Sequence, residues 1–422
     1  MKVLWITNIV LPEAMQLLKG HGELKATGGW MVGAANALTD REDVVLAVAA
    51  PSKSVTRLER LNGAKTLYYL FPYGKGNVEY NIEYESYWKE IEKGFCPDVV
   101  HIHGTESSHG LAYVNACGTK KTVVSIQGLV SVYERYYNDG LSTIDILRNI
   151  TIRDIIKGTT LLQGRKKFQK KGKAEVDLLK KVHHVIGRTS WDRAHVWSIN
   201  SHAKYHFCNE TLRPEFYEGK WNYKLCTPFT IFLSSSAYPI KGFHQLLKSM
   251  PLVLREYPQT QIRVAGSFYK TDSFLQRMRI NGYTNYFARL IKKFDLTNHI
   301  TFLGALNATQ MKDEFLRSNL YLCPSSIENS PNSLGEAQIL GVPVLASYVG
   351  GIPDMMQGDE EHLYRFEEVE MLASKICKIF EEKDTINTVI MRQKAQLRHD
   401  AINNANQLLE IYQSVIGNGE KE

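Results

Sequence analysis

The feature that most constrains the fold of this chain is a series of short, mainly apolar segments that occurs twice. In the first half these segments cover residues 3–10, 44–50, 66–71, 98–104, 122–128 and 185–189. In the second half they cover residues 230–234, 261–266, 300–304, 320–323, 342–347 and 363–366. Such runs, separated by amphipathic stretches, are typical of parallel strands that helices cover on both faces. The sequence therefore predicts two successive α/β domains, each a doubly wound, Rossmann-like sheet.

The length of 422 residues agrees with two domains, because a single domain usually contains about 100 to 200 residues. The strand pattern restarts near residues 219–227, so we place the N-terminal domain at 1–220 and the C-terminal domain at 221–395. A long helical pattern over residues 388–416 follows the last predicted strand, and we treat 396–422 as a terminal helix.

The formal charge of +7 is concentrated in one part of the chain. Residues 151–181 contain ten Lys or Arg and three Asp or Glu, so this stretch carries the whole excess. Its densest part, Arg165–Lys173, is either a solvated helix face or a docking site for anionic lipid headgroups or a lipid-diphosphate-linked acceptor. No nucleic-acid-binding motif accompanies it, so we do not expect a nucleic-acid partner.

Cysteine usage and hydropathy indicate a cytoplasmic protein. The six cysteines are scattered without a C-x-x-C pair, which favours reduced thiols. No apolar run approaches the roughly 18 to 20 residues of a membrane span. Polar Thr7 and Asn8 interrupt the opening apolar segment, and we interpret it as a buried strand, not a signal peptide. Any membrane contact would therefore be peripheral.

The most informative motif lies between Pro324 and Asp354. Glu328 follows a predicted buried strand, and Glu336 stands eight positions later in the first turn of a short predicted helix. Ligands of open parallel sheets bind beyond the carboxyl ends of the strands, where this motif lies. Ser333 and Glu336 also match an S-x-x-E capping box, in which the glutamate would serve only the helix terminus.

The motif resembles the E-x7-E signature of the retaining GT-B glycosyltransferases of family GT4. Gly341-Val342-Pro343-Val344 and Gly350-Gly351-Ile352-Pro353 match further elements of that family. The resemblance implies two Rossmann-like domains facing each other across a cleft, with the acceptor on the N-terminal and the nucleotide sugar on the C-terminal domain. It also implies that the terminal helix packs back on the first domain.

By the same resemblance, Glu328 contacts the hydroxyls of the donor sugar and Glu336 contacts the ribose. The family commonly has Gly-Phe-Gly after the first glutamate, whereas this chain has Asn329-Ser330-Pro331. Proline has no N–H, so one backbone donor is absent near the sugar or phosphate. The donor site implied by the resemblance further includes Asn332 and Ser333, and the nucleotide base is expected near Gly304, Ala305 and Leu306.

Two further elements resemble the phosphate-binding parts of the family. Lys241-Gly242 follows a strand and opens a helix, where a fixed cation and helix-terminal N–H groups would stabilise a departing diphosphate. The arginine that usually precedes this lysine by five positions is replaced by Ser236, so either Lys241 works with fewer partners or Arg263 or another base substitutes for it. Gly28-Gly29 resembles the glycine-rich loop before the first helix of the fold. Considered alone, Lys241-Gly242 and Gly28-Gly29 are each also compatible with an ordinary turn.

Two strand ends in the first domain supply further candidates. His101 and His103 lie two positions apart, so they could ligate a metal, but no Cys or Asp accompanies them at ligand spacing. We favour a core role for His101, whereas His103 resembles a cleft-facing position of the family, which implies a catalytic role. Gln127 stands where the family often has an active-site histidine, and an amide cannot take up a proton at neutral pH. Base catalysis by Gln127 is therefore excluded, and its expected role in the active site is a hydrogen bond to sugar or phosphate.

The sequence thus predicts a retaining transferase that moves a sugar from a UDP or GDP donor to a carbohydrate or lipid-linked acceptor. We expect it to act in polysaccharide or lipid-linked glycan synthesis. No D-x-D pair is placed to hold a cation, so we expect no metal and no other cofactor. A hydrolytic or catalytically silent nucleotide-sugar-binding protein of the same fold is the alternative.

Overall fold

The computed structural model describes residues 1–19, 29–73, 80–266 and 279–419. The chain forms two compact units. The first contains Met1–Val132, Phe168–Arg213 and Arg398–Glu422, and the second contains Tyr133–Lys167 and Pro214–Leu397. The predicted boundary at residue 220 is therefore incomplete, because 133–167 belongs with the second unit although it lies within the first half of the sequence.

The elements of the first half of the chain follow the predicted alternation of strands and helices. They are β1 (Lys2–Thr7), α1 (Pro12–Lys19), α2 (Gly29–Thr39), β2 (Val45–Ser52), β3 (Glu59–Asn62), β4 (Thr66–Pro72), α3 (Glu83–Phe95), β5 (Val99–His103), α4 (His109–Cys117), β6 (Thr122–Ser125), α5 (Val130–Tyr133), α6 (Thr143–Arg148), α7 (Ile152–Lys157), α8 (Leu161–Lys181), β7 (His184–Gly187), α9 (Ser190–Ile199) and β8 (Lys204–Phe207).

The described part of the first unit contains an eight-stranded sheet in the order β3-β4-β2-β1-β5-β6-β7-β8. All neighbours are parallel except β3 and β4. Every residue of β5 is buried, as expected of a strand covered on both faces. The winding direction reverses between β1 and β5, so the loops after these two strands diverge and leave room for a ligand.

The elements of the second half give the second unit the same architecture. They are β9 (Thr227–Leu233), α10 (Phe243–Glu256), β10 (Gln261–Val264), α11 (Gly282–Lys293), β11 (Ile300–Phe302), α12 (Ala308–Arg317), β12 (Ser318–Cys323), α13 (Asn332–Leu340), β13 (Val344–Ser347), α14 (Ile352–Met355), β14 (Leu363–Tyr364), α15 (Val369–Glu382), α16 (Val389–Arg398) and α17 (Ala401–Gly419). Its described strands form a fully parallel six-stranded sheet in the order β11-β10-β9-β12-β13-β14, which reverses between β9 and β12.

The prediction of two doubly wound α/β sheets is confirmed, and each predicted apolar segment forms a strand. The sequence pattern missed two edge strands, β3 and β8, because both are only partly buried and lack a continuous apolar run. The predicted helical stretch 388–416 is divided between α16, which ends at Arg398, and α17, which begins at Ala401 and lies within the predicted terminal helix 396–422. In α17, the Tyr412 hydroxyl accepts a hydrogen bond of 2.9 Å from the Trp5 indole of β1.

Within the described ranges, no helix combines the length and the apolar character that crossing a bilayer requires.

Candidate functional site

The reversal of strand order in the second sheet brings the two charged residues of the predicted donor site together. Lys241 ends a short 3-10 helix, Pro239–Lys241, that follows β9, and Glu328 lies in the loop after β12. These are the two strands between which the winding reverses. Lys241 Nζ lies 2.6 Å from Glu328 Oε1, so the pair occupies the part of the sheet where ligands of such folds bind.

The ion pair is largely sequestered from water. The Glu328 side chain is 11% exposed, and the Ser325 hydroxyl donates a second hydrogen bond of 2.8 Å to Oε1. Burial is the largest single influence and lowers the pKa of Lys241. The charge and hydrogen bond of Glu328, together with Tyr238 and Cys323, more than offset burial and raise this pKa well above its usual value. Lys241 is therefore a permanent cation that an acceptor-rich ligand can contact.

The backbone conformation and close packing of residue 242 explain why a glycine follows Lys241. Its φ of +66° is in the left-handed region, and a Cβ at this position would lie 1.6 Å from the carbonyl oxygen of Pro324. The loop after β12 thus packs directly on the Lys241-Gly242 turn. The backbone N–H of Ser326 donates to the Ile240 carbonyl over 2.8 Å and fixes the same contact. The two loops that carry Lys241 and Glu328 consequently hold each other in place.

The Gly350-Gly351 segment contacts the main chain of Glu328 at its carbonyl oxygen. A Cβ on Gly350, whose φ is +53°, would lie 1.9 Å from the Glu328 carbonyl oxygen. The Gly351 N–H donates to that same oxygen over 3.0 Å. Close backbone packing around Glu328 therefore requires glycine at position 350, and Gly351 adds a backbone hydrogen bond to the same oxygen.

Asn329, Ser330 and the residues after them lead from Glu328 into α13. Asn329 is buried, whereas Ser330, Asn332 and Ser333 are partly exposed. Pro331 precedes the first helical residue and makes no side-chain cap. A missing N–H leaves no backbone donor unsatisfied at such a position, so the proline is well suited to start the helix.

Glu336 lies within α13 and is 3% exposed. The capping-box alternative for this residue is wrong, because Ser333 is inside the helix and is not its N-cap. The Ser333 hydroxyl instead accepts a hydrogen bond of 2.8 Å from Tyr321 of β12. Tyr321 also contacts the Ser234 hydroxyl at 3.1 Å, which links the end of β9 to the start of α13.

The remaining predicted donor residues lie at strand ends of the same sheet. Ser236 is buried in the loop between β9 and Lys241. Gly304, Ala305 and Leu306 follow β11, and Gly304 forms an isolated antiparallel bridge with Gly266. Arg263 does not fit the suggested replacement for the missing arginine. Its guanidinium makes two hydrogen bonds, of 2.6 and 2.8 Å, to the carboxylate of Glu314.

Tyr133 is a member of this site that the sequence did not reveal. Burial, followed by the nearby charge of Glu328, raises the pKa of its phenol well above the usual value, and Asn329 forms a backbone hydrogen bond with it. Tyr133 is distant in sequence and lies at the start of the 133–167 segment that belongs with the second unit. No spacing motif connects it to Glu328, so only the folded chain identifies it.

In the first unit, the expectation for His101 is confirmed. Its Nδ1 lies 2.7 Å from the Tyr412 hydroxyl, and its Nε2 contacts the Ser125 hydroxyl, as in a satisfied core histidine. His103 ends β5, packs against Trp5 with ring centroids 4.4 Å apart, and is 6% exposed. Its two ring nitrogens have no hydrogen-bond partner among the described residues. Burial lowers the pKa of His103 to about 3, so it is neutral at physiological pH.

Gln127 belongs to a partly buried polar cluster of the first unit. Its amide nitrogen donates to the Glu210 carboxylate, and Glu210 also pairs with the guanidinium of Arg188. Arg188 in turn donates to the Ile126 carbonyl over 2.9 Å. Gly29 is the first residue of α2, and a Cβ there would lie 2.7 Å from Cγ of Arg213. Gly28 lies outside the described residues.

Glu106 is a second residue that sequence reasoning missed. It lies in the loop after β5, and its carboxylate accepts a hydrogen bond of 3.0 Å from the side-chain amide of Asn8, in the loop after β1. Burial, with a further contribution from Glu175, raises the pKa of Glu106 to about 7. An acidic residue just beyond His103-Gly104, at the strand-order reversal of the first sheet, was the available signal.

A potential metal-ligand cluster also occurs in the second unit. Among the described residues, the one group of three such side chains within reach of one another is Asp359, Glu361 and His362. Glu361 is exposed, and clusters of this kind are common at protein surfaces without a metal. The paired histidines His101 and His103 have no third ligand in the described part of the chain.

Comparison with known proteins identifies the second unit. Residues 221–407 match the model of the family described as glycosyl transferases group 1. The match covers less than half of the chain, and it confirms the resemblance of this part to group 1 glycosyltransferases.

A curated relative gives weaker similarity over part of its length. The gpi3 subunit of phosphatidylinositol N-acetylglucosaminyltransferase from Schizosaccharomyces pombe is 26% identical over 189 residues, which are 44% of this chain. The matched region spans 38% of the length of that relative.

Solved structures resemble the whole chain. Sucrose-phosphate synthase from Thermosynechococcus elongatus has a TM-score of 0.68 and 14% identity, and the match covers 99% of each chain. Anabaena HepE in complex with UDP has a TM-score of 0.65 and 15% identity, and the match covers 98% of this chain and all of HepE. The predicted GT-B fold is confirmed.

Proposed function

We propose that this protein is a retaining glycosyltransferase that moves a sugar from a nucleoside diphosphate to an acceptor hydroxyl. The observation that carries the proposal is the sequestered Lys241–Glu328 ion pair at the strand-order reversal of the group 1 domain. A fixed cation beside helix-terminal N–H groups is suited to the charge that develops on a departing diphosphate.

In the proposed site, Lys241 contacts the diphosphate, Glu328 accepts hydrogen bonds from sugar hydroxyls, and Glu336 binds the ribose. The bond between the anomeric carbon and the phosphate oxygen breaks as the acceptor oxygen attacks from the same face. The acceptor proton passes to the departing phosphate oxygen, so no protein base is needed. The ammonium of Lys241 supplies the positive charge, and we propose that the reaction requires no metal.

The proposed donor is a UDP- or GDP-linked sugar, and UDP is the first candidate because HepE is described in complex with UDP. The proposed acceptor is a carbohydrate or a lipid-linked glycan. The name of the gpi3 relative refers to phosphatidylinositol, which favours a lipid-linked acceptor. Such a substrate would place the enzyme at the cytoplasmic face of a membrane.

The proposal is tested by titrating UDP and GDP into wild type and Lys241→Ala. Loss of one charge-assisted contact should weaken binding by about 1.5–3 kcal/mol, or roughly 10- to 150-fold. Lys312→Ala, on α12 away from the strand ends, is the matched control and should bind normally. Wild-type affinity in a folded Lys241→Ala variant would contradict the site.

Glu336→Gln separates ligand binding from a structural role. If the carboxylate binds the ribose, nucleotide affinity should fall while the melting temperature changes little. Unchanged affinity would remove Glu336 from the donor site. Donors that bind are then assayed for both transfer and release of free sugar, because a hydrolase would give free sugar alone.

A further inference from the structure

The 133–167 segment of the second unit exposes an unusual number of aliphatic side chains. In α7, Ile152, Ile155 and Ile156 are 55, 69 and 75% exposed. Their spacing of three and four positions places them on one face of the helix. The neighbouring helices α6 and α8 add the exposed side chains Ile144, Leu147 and Leu162. This set of six residues is called the aliphatic patch below.

The helices that carry the aliphatic patch are firmly structured. Ser142 and Asp145 form a capping box at the start of α6, and Thr151 and Asp154 form another at the start of α7. The Thr151 hydroxyl also donates to the Ile280 carbonyl over 3.1 Å, which attaches α7 to the rest of the unit. The exposed face therefore belongs to a defined surface, and its apolar spacing is that of a face normally buried.

The charges around the aliphatic patch are arranged asymmetrically. The two acidic residues of 143–167, Asp145 and Asp154, are both engaged in capping boxes, and Asp154 is fully buried. The basic residues point largely to solvent, with Arg148, Lys157, Lys166 and Lys167 all exposed. The surface that accompanies the patch is consequently positive.

A groove beside α6 extends the positive surface. It has a volume of about 540 Å³, and its lining includes four basic residues and Asp145. The bases are Arg148, Lys248, Arg289 and Lys293. Since Asp145 is already bound to Ser142, the groove offers cationic groups to an anionic ligand of headgroup size.

We propose that the aliphatic patch docks on an anionic lipid bilayer. The aliphatic side chains enter the boundary between headgroups and acyl chains, and the surrounding bases contact lipid phosphates. A second copy of the chain is a poorer occupant, because two such surfaces would bring like charges together. The sequence placed membrane contact in Arg165–Lys173 alone, whereas the exposed isoleucines of α7 supply the apolar component that basic residues lack.

The test is flotation of the full chain with phosphatidylcholine vesicles that contain or lack phosphatidylglycerol. Wild type should bind the anionic vesicles and be released by high salt only in part, because apolar contacts are not screened. Ile152→Ser, Ile155→Ser and Ile156→Ser combined should lower the partition coefficient at least tenfold. Val389→Ser, Ile390→Ser and Leu397→Ser combined form the control, since these α16 residues are similarly exposed, at 49, 59 and 73%.

Three results would overturn the proposal. They are failure of wild type to bind anionic vesicles, equal loss of binding in the two triple variants, and a dimer in solution that the α7 substitutions dissolve. Nucleotide titration of each variant verifies that it is folded. The membrane surface and the transfer reaction are tested separately, because vesicle binding needs no donor and nucleotide binding needs no vesicle.

Discussion

At the scale of single residues, the carboxylates of Glu328 and Glu106 differ in the charge of the groups beside them. Glu328 lies against the ammonium of Lys241, whereas Glu106 accepts from a neutral amide and lies near another carboxylate, Glu175. Burial raises the pKa of Glu106 to about 7, so the group titrates in the physiological range. A carboxyl group that is partly protonated at neutral pH can both donate to and accept from a sugar hydroxyl.

This shift predicts a pH-dependent loss of stability. An unfolded glutamate has a pKa near 4.3. Between about pH 4.3 and 7 the folded protein therefore retains a proton that the unfolded chain releases, and stability falls as pH rises through that window. Glu106→Gln should remove this loss. Relative to wild type, its free energy of unfolding should rise by about 3 kcal/mol between pH 4.5 and pH 8 in urea titrations.

Glu90→Gln is the control for this experiment, because Glu90 is exposed on α3. Its effect on stability should be the same at both pH values. If Glu106→Gln behaved like Glu90→Gln, the carboxyl group would not be held in its protonated form by the fold.

At the scale of elements, the proposed donor site depends on loops that touch through their backbones. Gly242 contacts the loop after β12, and Gly350 contacts the carbonyl of Glu328. Both contacts are made to backbone carbonyl oxygens, so a substitution of a neighbouring side chain could not relieve them. The geometry of the charged pair is therefore set by glycines on both sides.

Gly242→Ala should destabilise the protein by more than the strain of an alanine at positive φ, because the new Cβ would also collide with the backbone. The strain of an alanine at positive φ is about 1–2 kcal/mol, and here its Cβ would also lie 1.6 Å from a carbonyl oxygen. Gly158→Ala is the matched control, since Gly158 has a φ of +60° with its nearest neighbour at 3.8 Å. Thermal melts and UDP titrations should show a mild effect for Gly158→Ala and severe loss for Gly242→Ala. Equal effects would show that the loop after β12 can move aside.

At the scale of the whole molecule, the absence of a metal from the proposed mechanism can be tested directly. Because Lys241 provides positive charge where other transferases use a cation, glycosyl transfer should continue in excess EDTA. A transferase of known metal dependence, treated in parallel, is the control. Complete loss of turnover that Mn²⁺ or Mg²⁺ restores would contradict this mechanism.

The sequence was sufficient to predict the two sheets and to single out Lys241 and Glu328, which the structure brings together in the proposed donor site. Buried parallel strands leave continuous apolar runs, and glycines and glutamates at fixed spacing leave a motif. Tyr133 left no such pattern, because it reaches Glu328 and Asn329 through tertiary contacts. Glu106 left only its position after a predicted strand, and its pKa depends on burial that the sequence does not show. The sequence also did not predict that residues 133–167 belong to the second unit, because the periodicity of a helix does not show which core the helix packs against.

The Lys241–Glu328 pair has a consequence for selectivity among the anions of the cell. When no donor is bound, the ammonium already has a counterion that is tethered and cannot diffuse away. Inorganic phosphate entering the proposed site must displace that carboxylate and leave it with the Ser325 hydrogen bond but no countercharge. A nucleotide sugar brings hydroxyl groups that can satisfy the displaced carboxylate. The pair would thus act as an internal competitor that abundant free phosphate does not overcome but the complete donor does.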